Sequence, residues 1–162
     1  MRVYLGSDHA GFELKMHLVG ELAAAGHEVV DIGPPSYDGE DDYPAYCLAT
    51  GAGVVGDPDS LGVVIGGSGN GEQIAANKIP GVRAALAWSI ETATLARQHN
   101  DANIISIGAR MHTAGEATAL VSAFLATEFS GEQRHVRRIS QVSEYERTHR
   151  VPELPTSPSA PL

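Results

Sequence analysis

Cysteine is nearly absent from this sequence: Cys47 is the only one in 162 residues. A lone thiol forms no disulfide within its own chain, which is typical of proteins in a reducing compartment. Long apolar stretches are absent too, because no run approaches the roughly 20 residues that cross a bilayer. The N-terminus begins with a strand pattern at residues 1–6 instead of a signal peptide. We therefore expect a cytoplasmic protein with no membrane partner.

Basic residues are also few. The chain has 11 Lys and Arg against 20 Asp and Glu, for a net charge of −9, so we expect no nucleic-acid partner. Its seven histidines show no metal-ligand spacing such as HExxH, and we expect no metal. The chain is 43% hydrophobic and holds 18 glycines, which is typical of one globular domain with a sizeable core.

Short apolar runs alternate with helical patterns along the chain. We predict strands at residues 3–5, 27–32, 62–65, 82–87 and 103–107. We predict helices at residues 12–25, 44–53, 72–78, 89–99, 113–126 and 130–149, the last two opened by capping boxes that start at Thr113 and Ser130. This alternation favours an α/β fold, with a five-stranded parallel sheet between two layers of helices and an extra C-terminal helix. We place the domain at residues 1–149 and expect residues 150–162, rich in proline and serine, to be a disordered tail.

A glycine-rich segment, GGSGNGE at residues 66–72, follows the third predicted strand. It fits neither common nucleotide motif, because Glu72 stands where the Walker A loop has lysine and where the dinucleotide fingerprint has its third glycine. A plain strand-to-helix turn needs one or two glycines, whereas this segment has four within six residues. Function in α/β folds gathers in loops at the carboxyl ends of strands, so we favour a functional role for the segment.

The Glu72 carboxylate indicates the type of reaction for which this segment is suited. Consecutive backbone N–H groups at a helix N-terminus stabilise negative charge, but Glu72 would repel a phosphate dianion there. It would not repel a neutral carbonyl that becomes an oxyanion only while Glu72 removes a proton from the adjacent carbon. The segment therefore predicts proton abstraction α to a carbonyl, with Glu72 as the base and the glycine loop as an oxyanion hole.

Two groups near other strand and helix ends have both a structural and a functional interpretation. Asp8 is either a helix cap or, with His9, part of a site that holds sugar hydroxyls or assists ring opening. His99 either stabilises a helix C-terminus or acts as a general acid, since histidine titrates near neutral pH. The residues alone leave these alternatives open. Cys47 lies in an apolar helical pattern, and we expect it to be buried.

Arginines form the last candidate group. Arg134 and Arg138 lie four apart on one face of the last predicted helix, and Arg110 follows the fifth strand. They form either a solvated face or a clamp for a phosphate. In a chain this acidic, the local cluster favours the clamp.

Five segments of the chain match the pattern of one known family. They are GSDHAGF at 6–12, GSGNG at 67–71, IAANK at 74–78, residues 93–100 and GAR at 108–110. Together, over about residues 1–149, the chain resembles the ribose-5-phosphate isomerase B family, also called the RpiB/LacAB sugar-phosphate isomerases. The resemblance implies a Rossmann-like three-layer α/β/α fold, a homodimer with active sites at the subunit interface, and neither cofactor nor metal. The implied reaction interconverts D-ribose 5-phosphate and D-ribulose 5-phosphate through a cis-enediolate, in the non-oxidative branch of the pentose phosphate pathway.

The resemblance also implies roles for individual residues. Asp8 and His9 would contact the substrate and help ring opening, in which His99 would be the acid. Ser68 would relay protons between two substrate oxygens, inside an anion hole formed by Gly67, Ser68, Gly69, Asn70 and Gly71. Asn100 would bind the sugar. The phosphate would be held by Arg110, Arg134 and Arg138, with some of these reaching from the partner subunit.

One position departs from the family pattern. Many relatives have a catalytic cysteine just before the glycine loop, where this chain has Gly66, and a subgroup has a glutamate just after the loop, which Glu72 matches. Three alternatives remain open: an isomerase of a six-carbon sugar phosphate such as allose or galactose 6-phosphate, a non-catalytic module that binds nucleotide or phosphate, and a structural or regulatory protein with a vestigial site.

Overall fold

The computed structural model describes residues 1–154. Most of the predicted tail, residues 155–162, lies outside the described residues, and residues 151–154 carry no regular secondary structure. The chain divides into two compact units, one over residues 1–130 and one that begins at Gly131. The predicted division into a domain over 1–149 and a tail over 150–162 stays a prediction.

Strands and helices alternate as the sequence predicts. The strands are β1 (Arg2–Ser7), β2 (Glu28–Gly33), β3 (Leu61–Gly66), β4 (Ala84–Leu86) and β5 (Ile104–Gly108). The α-helices are α1 (Phe12–Ala24), α2 (Tyr43–Gly56), α3 (Asn70–Ala76), α4 (Ile90–Asn100), α5 (Ala114–Ala126) and α6 (Gln133–Thr148). A short 3₁₀ helix, His9–Gly11, connects β1 to α1. Among residues 1–154, no helix is long and apolar enough to cross a membrane.

The five strands form one parallel sheet in the order β2-β1-β3-β5-β4. Helices cover both faces, which confirms the predicted three-layer α/β fold. Buried residues of α1, α4 and α5 pack on one face, and those of α2 and α3 pack on the other. The central strand β3 is buried along its whole length, and its side chains alternate between the two cores, with Val63 and Ile65 in one and Val64 in the other.

The two predicted capping boxes can be compared with the helix starts in the structure. The capping box at Thr113 is confirmed, because its side chain accepts from the Glu116 N–H and the Glu116 side chain accepts from the Thr113 N–H. The capping box at Ser130 is wrong: α6 begins after Glu132, which makes no side-chain cap bond. Gly131 has a φ of 64°, so the chain turns there, and α6 begins at Gln133, three residues after the start of the predicted helix.

Strand order decides which loops meet. Because β1, β3 and β5 are adjacent and parallel, the segments that follow their carboxyl ends come together at one edge of the sheet. The chain leaves β1 toward β2 on one side and reaches β3 on the other, so the gap between β1 and β3 is the topological switch point at which α/β folds bind ligands.

Candidate active site

A cleft of about 390 Å³ opens at this switch point. It is lined by Asp8, His9, Ala10, Tyr43, Gly67, Ser68, Gly71, Glu72, Arg110 and Met111. The segments that follow β1, β3 and β5 therefore meet here. Tyr43, Ala10 and Met111 were not predicted as site residues, because tyrosine, alanine and methionine carry no sequence signal that separates a pocket wall from ordinary packing.

Hydrogen bonds from β5 and the residues after it hold the glycine loop in place. The N–H of Ala109 donates to the carbonyl of Gly66 (2.7 Å), and the N–H of Arg110 donates to the carbonyl of Gly67 (3.1 Å). The buried hydroxyl of Ser106 donates to the carbonyl of Gly69 (2.7 Å). In a planar trans peptide the next N–H points opposite to the carbonyl. The N–H groups after these carbonyls consequently point away from β5, which leaves those of Gly67 and Ser68 beside the cleft.

The positive φ of Gly69, 82°, makes the turn from β3 into α3. At this φ any residue with a Cβ would be strained, and that Cβ would also lie 2.6 Å from Leu86 Cδ1. The loop thus delivers its backbone N–H groups and the first turn of α3 to one place, as an oxyanion hole requires.

Glu72 lies in the first turn of α3 with only 4% of its surface exposed. Burial raises the pKa of this carboxyl, and the nearby charge of Asp8 raises it further, while the N–H groups of Glu72 and Gly69 act in the opposite direction. A buried carboxylate with a raised pKa holds a proton better than an ordinary glutamate does. This is the property that a general base needs when it returns the proton later in the reaction.

Gly66 makes room for this carboxylate. A Cβ at residue 66 would lie 1.7 Å from Glu72 Oε1, far inside contact distance. A side chain at residue 66 and the Glu72 carboxylate therefore compete for the same space. Cys47 supplies no substitute thiol: it is fully buried, as predicted, and burial together with the charges of Glu72 and Asp8 raises its pKa to about 12.

Asp8 has the structural role predicted for it, and its position leaves the functional role open. It caps the short helix after β1, where its Oδ1 accepts from the Gly11 N–H (3.2 Å), and it also lines the cleft. His9 beside it is held by Asp41, whose Oδ1 lies 2.9 Å from His9 Nδ1 and accepts from the His9 N–H at 2.7 Å. The hydrogen bond to Asp41 is the main reason that the pKa of His9 is raised; burial opposes it, and the charge of Asp8 adds to it.

Ser68 and Arg110, which line the cleft, and Asn70 beside them on the loop are exposed. Ser68 Oγ accepts from the N–H of Asn70 (3.3 Å) and from its Nδ2 (3.2 Å), so the two side chains form one polar group on the loop. Arg110 passes over Gly67, where its Nη1 would be 3.3 Å from a Cβ. The cleft thus has one cationic side near the loop.

His99 and Asn100 lie elsewhere. They end α4 and do not line the cleft of their own chain. The carbonyl of Asn100 accepts from Arg83 Nε (3.0 Å), and Arg83 directly precedes β4, so both residues lie at the amino ends of the strands. The length of β5, about 15 Å at roughly 3.3 Å per residue, separates them from the cleft at the carboxyl ends.

Arg134 and Arg138 belong to α6 in the second unit. Both lie on one face of that helix, and Arg134 Nε pairs with Glu132 Oε2 at 2.9 Å. Their predicted contact with a phosphate stays a prediction. In residues 1–154 no three His, Cys, Asp or Glu side chains gather as metal ligands would, and the prediction that the protein works without metal also awaits a test.

Comparison with known proteins gives one consistent result. The family model described as Ribose/Galactose Isomerase matches residues 3–142. The chain is 62% identical to ribose-5-phosphate isomerase B of Mycolicibacterium paratuberculosis, covering 96% of this chain and 98% of that protein. It is 59% identical to ribose-5-phosphate isomerase B of Mycobacterium tuberculosis, covering 98% of each.

Solved structures agree with the sequence matches. The crystal structure of ribose-5-phosphate isomerase B from Mycoplasma genitalium, with bound ribulose-5-phosphate, aligns with a TM-score of 0.87 at 40% identity and covers 91% of this chain and 97% of that one. Ribose-5-phosphate isomerase B of Clostridium thermocellum aligns with a TM-score of 0.88 at 38% identity and covers 93% and 100%. On its sequence, its fold and the cleft at its switch point, this chain belongs to the ribose/galactose isomerase family.

Proposed function

We propose that this chain is an aldose–ketose isomerase that interconverts D-ribose 5-phosphate and D-ribulose 5-phosphate. The observation that carries the proposal is the buried carboxylate of Glu72 beside the N–H groups of the glycine loop. Relatives at 59% and 62% identity over nearly the whole chain are named ribose-5-phosphate isomerase B. A buried free thiol and this metabolic role also favour a cytoplasmic location.

The reaction divides into two proton transfers between carbon and Glu72. Glu72 takes the proton from C2 of the open-chain aldose, and the electron pair moves through C1 onto the carbonyl oxygen O1. The resulting enediolate oxyanion lies against the N–H groups of the loop. Protonated Glu72 then returns its proton to C1 while O2 becomes the ketone oxygen. A placed base contributes roughly 10²–10⁴ in rate, and each oxyanion donor about 3 kcal/mol.

The remaining cleft residues take supporting roles in this proposal. Ser68, exposed beside the loop, moves a proton between O1 and O2. Asp8 and His9 hold the sugar and assist ring opening, and Gly67, Gly69, Asn70 and Gly71 complete the loop that receives the oxyanion. Arg110 approaches the phosphate end, where a guanidinium suits a dianion.

A homodimer with its sites at the subunit interface completes the proposal. His99 and Asn100 lie at the sheet edge opposite their own cleft, so they reach a cleft only if it belongs to a second copy. Two copies related by a two-fold axis would each give these residues to the other. Arg134 and Arg138 join this set as the arginines that hold the phosphate with Arg110.

Turnover of ribose 5-phosphate in deuterated water tests the chemistry directly. The wild-type protein should produce ribulose 5-phosphate and place solvent deuterium on the transferred carbon, and kcat/KM should fall on the acid side at a pH above the ordinary range of a glutamate, because burial raises the pKa of Glu72. Glu72→Gln should lower kcat by about 10² or more and leave substrate binding within a few-fold by calorimetry.

Two controls accompany this experiment. Allose and galactose 6-phosphates should show a lower kcat/KM than ribose 5-phosphate, and a chelator or a thiol alkylating agent should leave turnover unchanged. A Glu72→Gln variant with near-normal kcat would remove Glu72 from the role of base. Faster turnover of a six-carbon substrate would reassign the substrate.

A further inference from the structure

We infer that Asp41 is a positioning residue that fixes the ring of His9 by holding its Nδ1, so that Nε2 is the nitrogen offered to the substrate. The inference rests on the proposed function for its meaning in catalysis, but its geometry stands on the chain itself. Asp41 does not line the cleft. It would therefore act on the sugar phosphate only through His9.

The contact between Asp41 and His9 is double and sheltered. A single oxygen, Asp41 Oδ1, accepts from the His9 backbone N–H at 2.7 Å and lies 2.9 Å from Nδ1 of the ring. The Asp41 side chain is 7% exposed, against 30% for His9. Two bonds to one buried oxygen fix both the backbone and the ring plane, whereas a single exposed pair would leave the ring free to rotate.

The second oxygen of Asp41 is unusual. Oδ2 is buried and makes no hydrogen bond of ordinary geometry within residues 1–154, although Tyr46 lies near enough that burial and then the Asp41 carboxylate raise the pKa of its hydroxyl. A buried carboxylate with an unpaired oxygen costs stability, because it has lost water without full compensation. An asparagine would meet the same two N–H groups at lower cost. The charge of Asp41 therefore has a use other than stability. Of its two titratable neighbours, Tyr46 and His9, only His9 lines the cleft and is held by two hydrogen bonds.

The loop that carries Asp41 is held firmly at its start and middle. Lys15 is fully buried and donates to the carbonyl of Pro34 (2.9 Å) and to both oxygens of Asp31 (2.6 Å each), which uses its three N–H bonds. The ring of Tyr37 meets both His9 and Phe12 edge to face, at centroid distances of 6.5 Å and 6.1 Å. His9 is thus bounded by the ring of Tyr37 and the carboxylate of Asp41.

The charges around His9 determine whether its Nε2 carries a proton that it can donate to the substrate. The titratable groups that face it are Asp8 on its own segment, Asp41 and Tyr37 on the loop, and Tyr43, Glu72 and Arg110 across the cleft. The hydrogen bond to Asp41 is the largest influence and raises the pKa of His9. With Nδ1–H donating to Asp41, His9 stays protonated to a higher pH and Nε2–H serves as a cationic donor toward an anionic or carbonyl oxygen of the substrate.

Asp41→Asn tests this role with little change of shape. The amide oxygen can still accept both bonds, so only the charge is lost. We expect the His9 titration midpoint, followed by NMR of ¹⁵N-labelled histidine and assigned with His9→Gln, to fall toward that of an ordinary histidine. KM for ribose 5-phosphate should rise about 10-fold near pH 7 while kcat changes less than about 3-fold, since uniform binding is weakened and the base is intact.

Asp42→Asn is the matched control, because this neighbouring carboxylate is exposed and forms no side-chain cap on α2. It should leave the His9 midpoint and KM unchanged. In a His9→Gln background, Asp41→Asn should have no further effect on KM, since Asp41 acts through His9 alone.

Two results would overturn the inference. One is an unchanged His9 midpoint in Asp41→Asn, whether or not the melting temperature falls, since that assigns Asp41 a structural role only. The other is additive effects of the two substitutions on KM. The titration needs no substrate, so it judges Asp41 even if the wild-type protein fails to turn over ribose 5-phosphate, a failure that would count against the proposed function instead.

Discussion

Glu72 and Gly66 form an interdependent pair. The Glu72 carboxylate fills the space in which any side chain at residue 66 would begin, with only 1.7 Å between Oε1 and the position of that Cβ. The position of the proposed base therefore depends on residue 66, six residues earlier, having no side chain. Both residues are needed. Glu72 brings the carboxylate to the loop from the first turn of α3, and Gly66 leaves the space that the carboxylate occupies.

Gly66→Ala tests this dependence with a single methyl group. We expect kcat to fall by about 10² or more, since the carboxylate must leave its place and a placed base is worth roughly 10²–10⁴. The melting temperature should fall as well, because β3 is buried. The double variant Gly66→Ala with Glu72→Ala removes the collision and should regain the lost thermal stability without regaining activity.

Gly20→Ala is the control for glycine replacement. Gly20 lies in α1, where an added methyl group would have no atom within 4 Å and where φ is ordinary. The substitution should keep kcat and raise stability by about 0.5–1 kcal/mol. Normal kcat in Gly66→Ala would show that the carboxylate has another productive position.

Strand β5 does more than complete the sheet. Through Ser106 and the two residues after its end it holds three carbonyls of the glycine loop. The element that orients the proposed oxyanion hole is thus a strand that contributes no side chain to the cleft. Precision of a loop site depends on this kind of support from a rigid element.

Ser106→Ala removes one of these supports. The carbonyl of Gly69 would lose its buried partner, which costs about 1–3 kcal/mol, and the loop would lose its fixed turn. We expect a lower melting temperature together with a lower kcat. Ser7→Ala is the matched control at the end of β1, because the buried Ser7 hydroxyl has no hydrogen-bond partner within residues 1–154. It should be neutral or slightly stabilising, and equal effects of the two substitutions would contradict the role of the Ser106 bond.

The sequence predicts a helix start correctly where the residues that form the cap lie next to the helix in the chain. The box at Thr113 is predicted correctly because Thr and Glu stand at the required spacing, whereas the box at Ser130 has a similar pattern but is separated from its helix by the left-handed Gly131. The box of Ser89 with Thr92 on α4 was missed, because threonine is not the usual third-position acceptor.

The residues of the candidate site also divide into those that the sequence predicts and those that it does not. The rule that function gathers at the carboxyl ends of strands leads to the segments after β1, β3 and β5, because parallel strands bring those ends to one edge. The sequence gives no signal for Asp41, since it meets His9 across 32 positions and through the pairing of β2 with β1, which no local pattern reveals. His99 ends α4, which runs back from the carboxyl end of β4 to the amino end of β5, so the predicted parallel topology already implies its place at the opposite edge.

At the scale of the whole molecule, the proposed dimer divides each site between two chains. Glu72→Gln and His99→Ala should each be inactive alone. Mixed after dissociation, they should form heterodimers in which one of the two sites has both an intact Glu72 and an intact His99. Random pairing then restores about 25% of wild-type activity per chain. The measurement is turnover before and after mixing, with each variant mixed with itself as control.

No recovery on mixing, with heterodimers demonstrated by mass spectrometry, would place His99 and Glu72 in the same chain's site or remove His99 from catalysis. A monomer by sedimentation at assay concentration, with full activity, would contradict the shared site altogether.

The competition between residue 66 and Glu72 also constrains the evolutionary route between two kinds of base. The resemblance describes relatives that use a cysteine at the position of Gly66. In an ancestor with that cysteine, a glutamate acquired at residue 72 would have to hold its carboxylate away from the place that it occupies here, because the two groups would collide. Loss of the side chain at 66 is then the step that lets the carboxylate reach the loop. The order of the two changes decides whether the intermediate sequence keeps its thiol or has neither group at the loop.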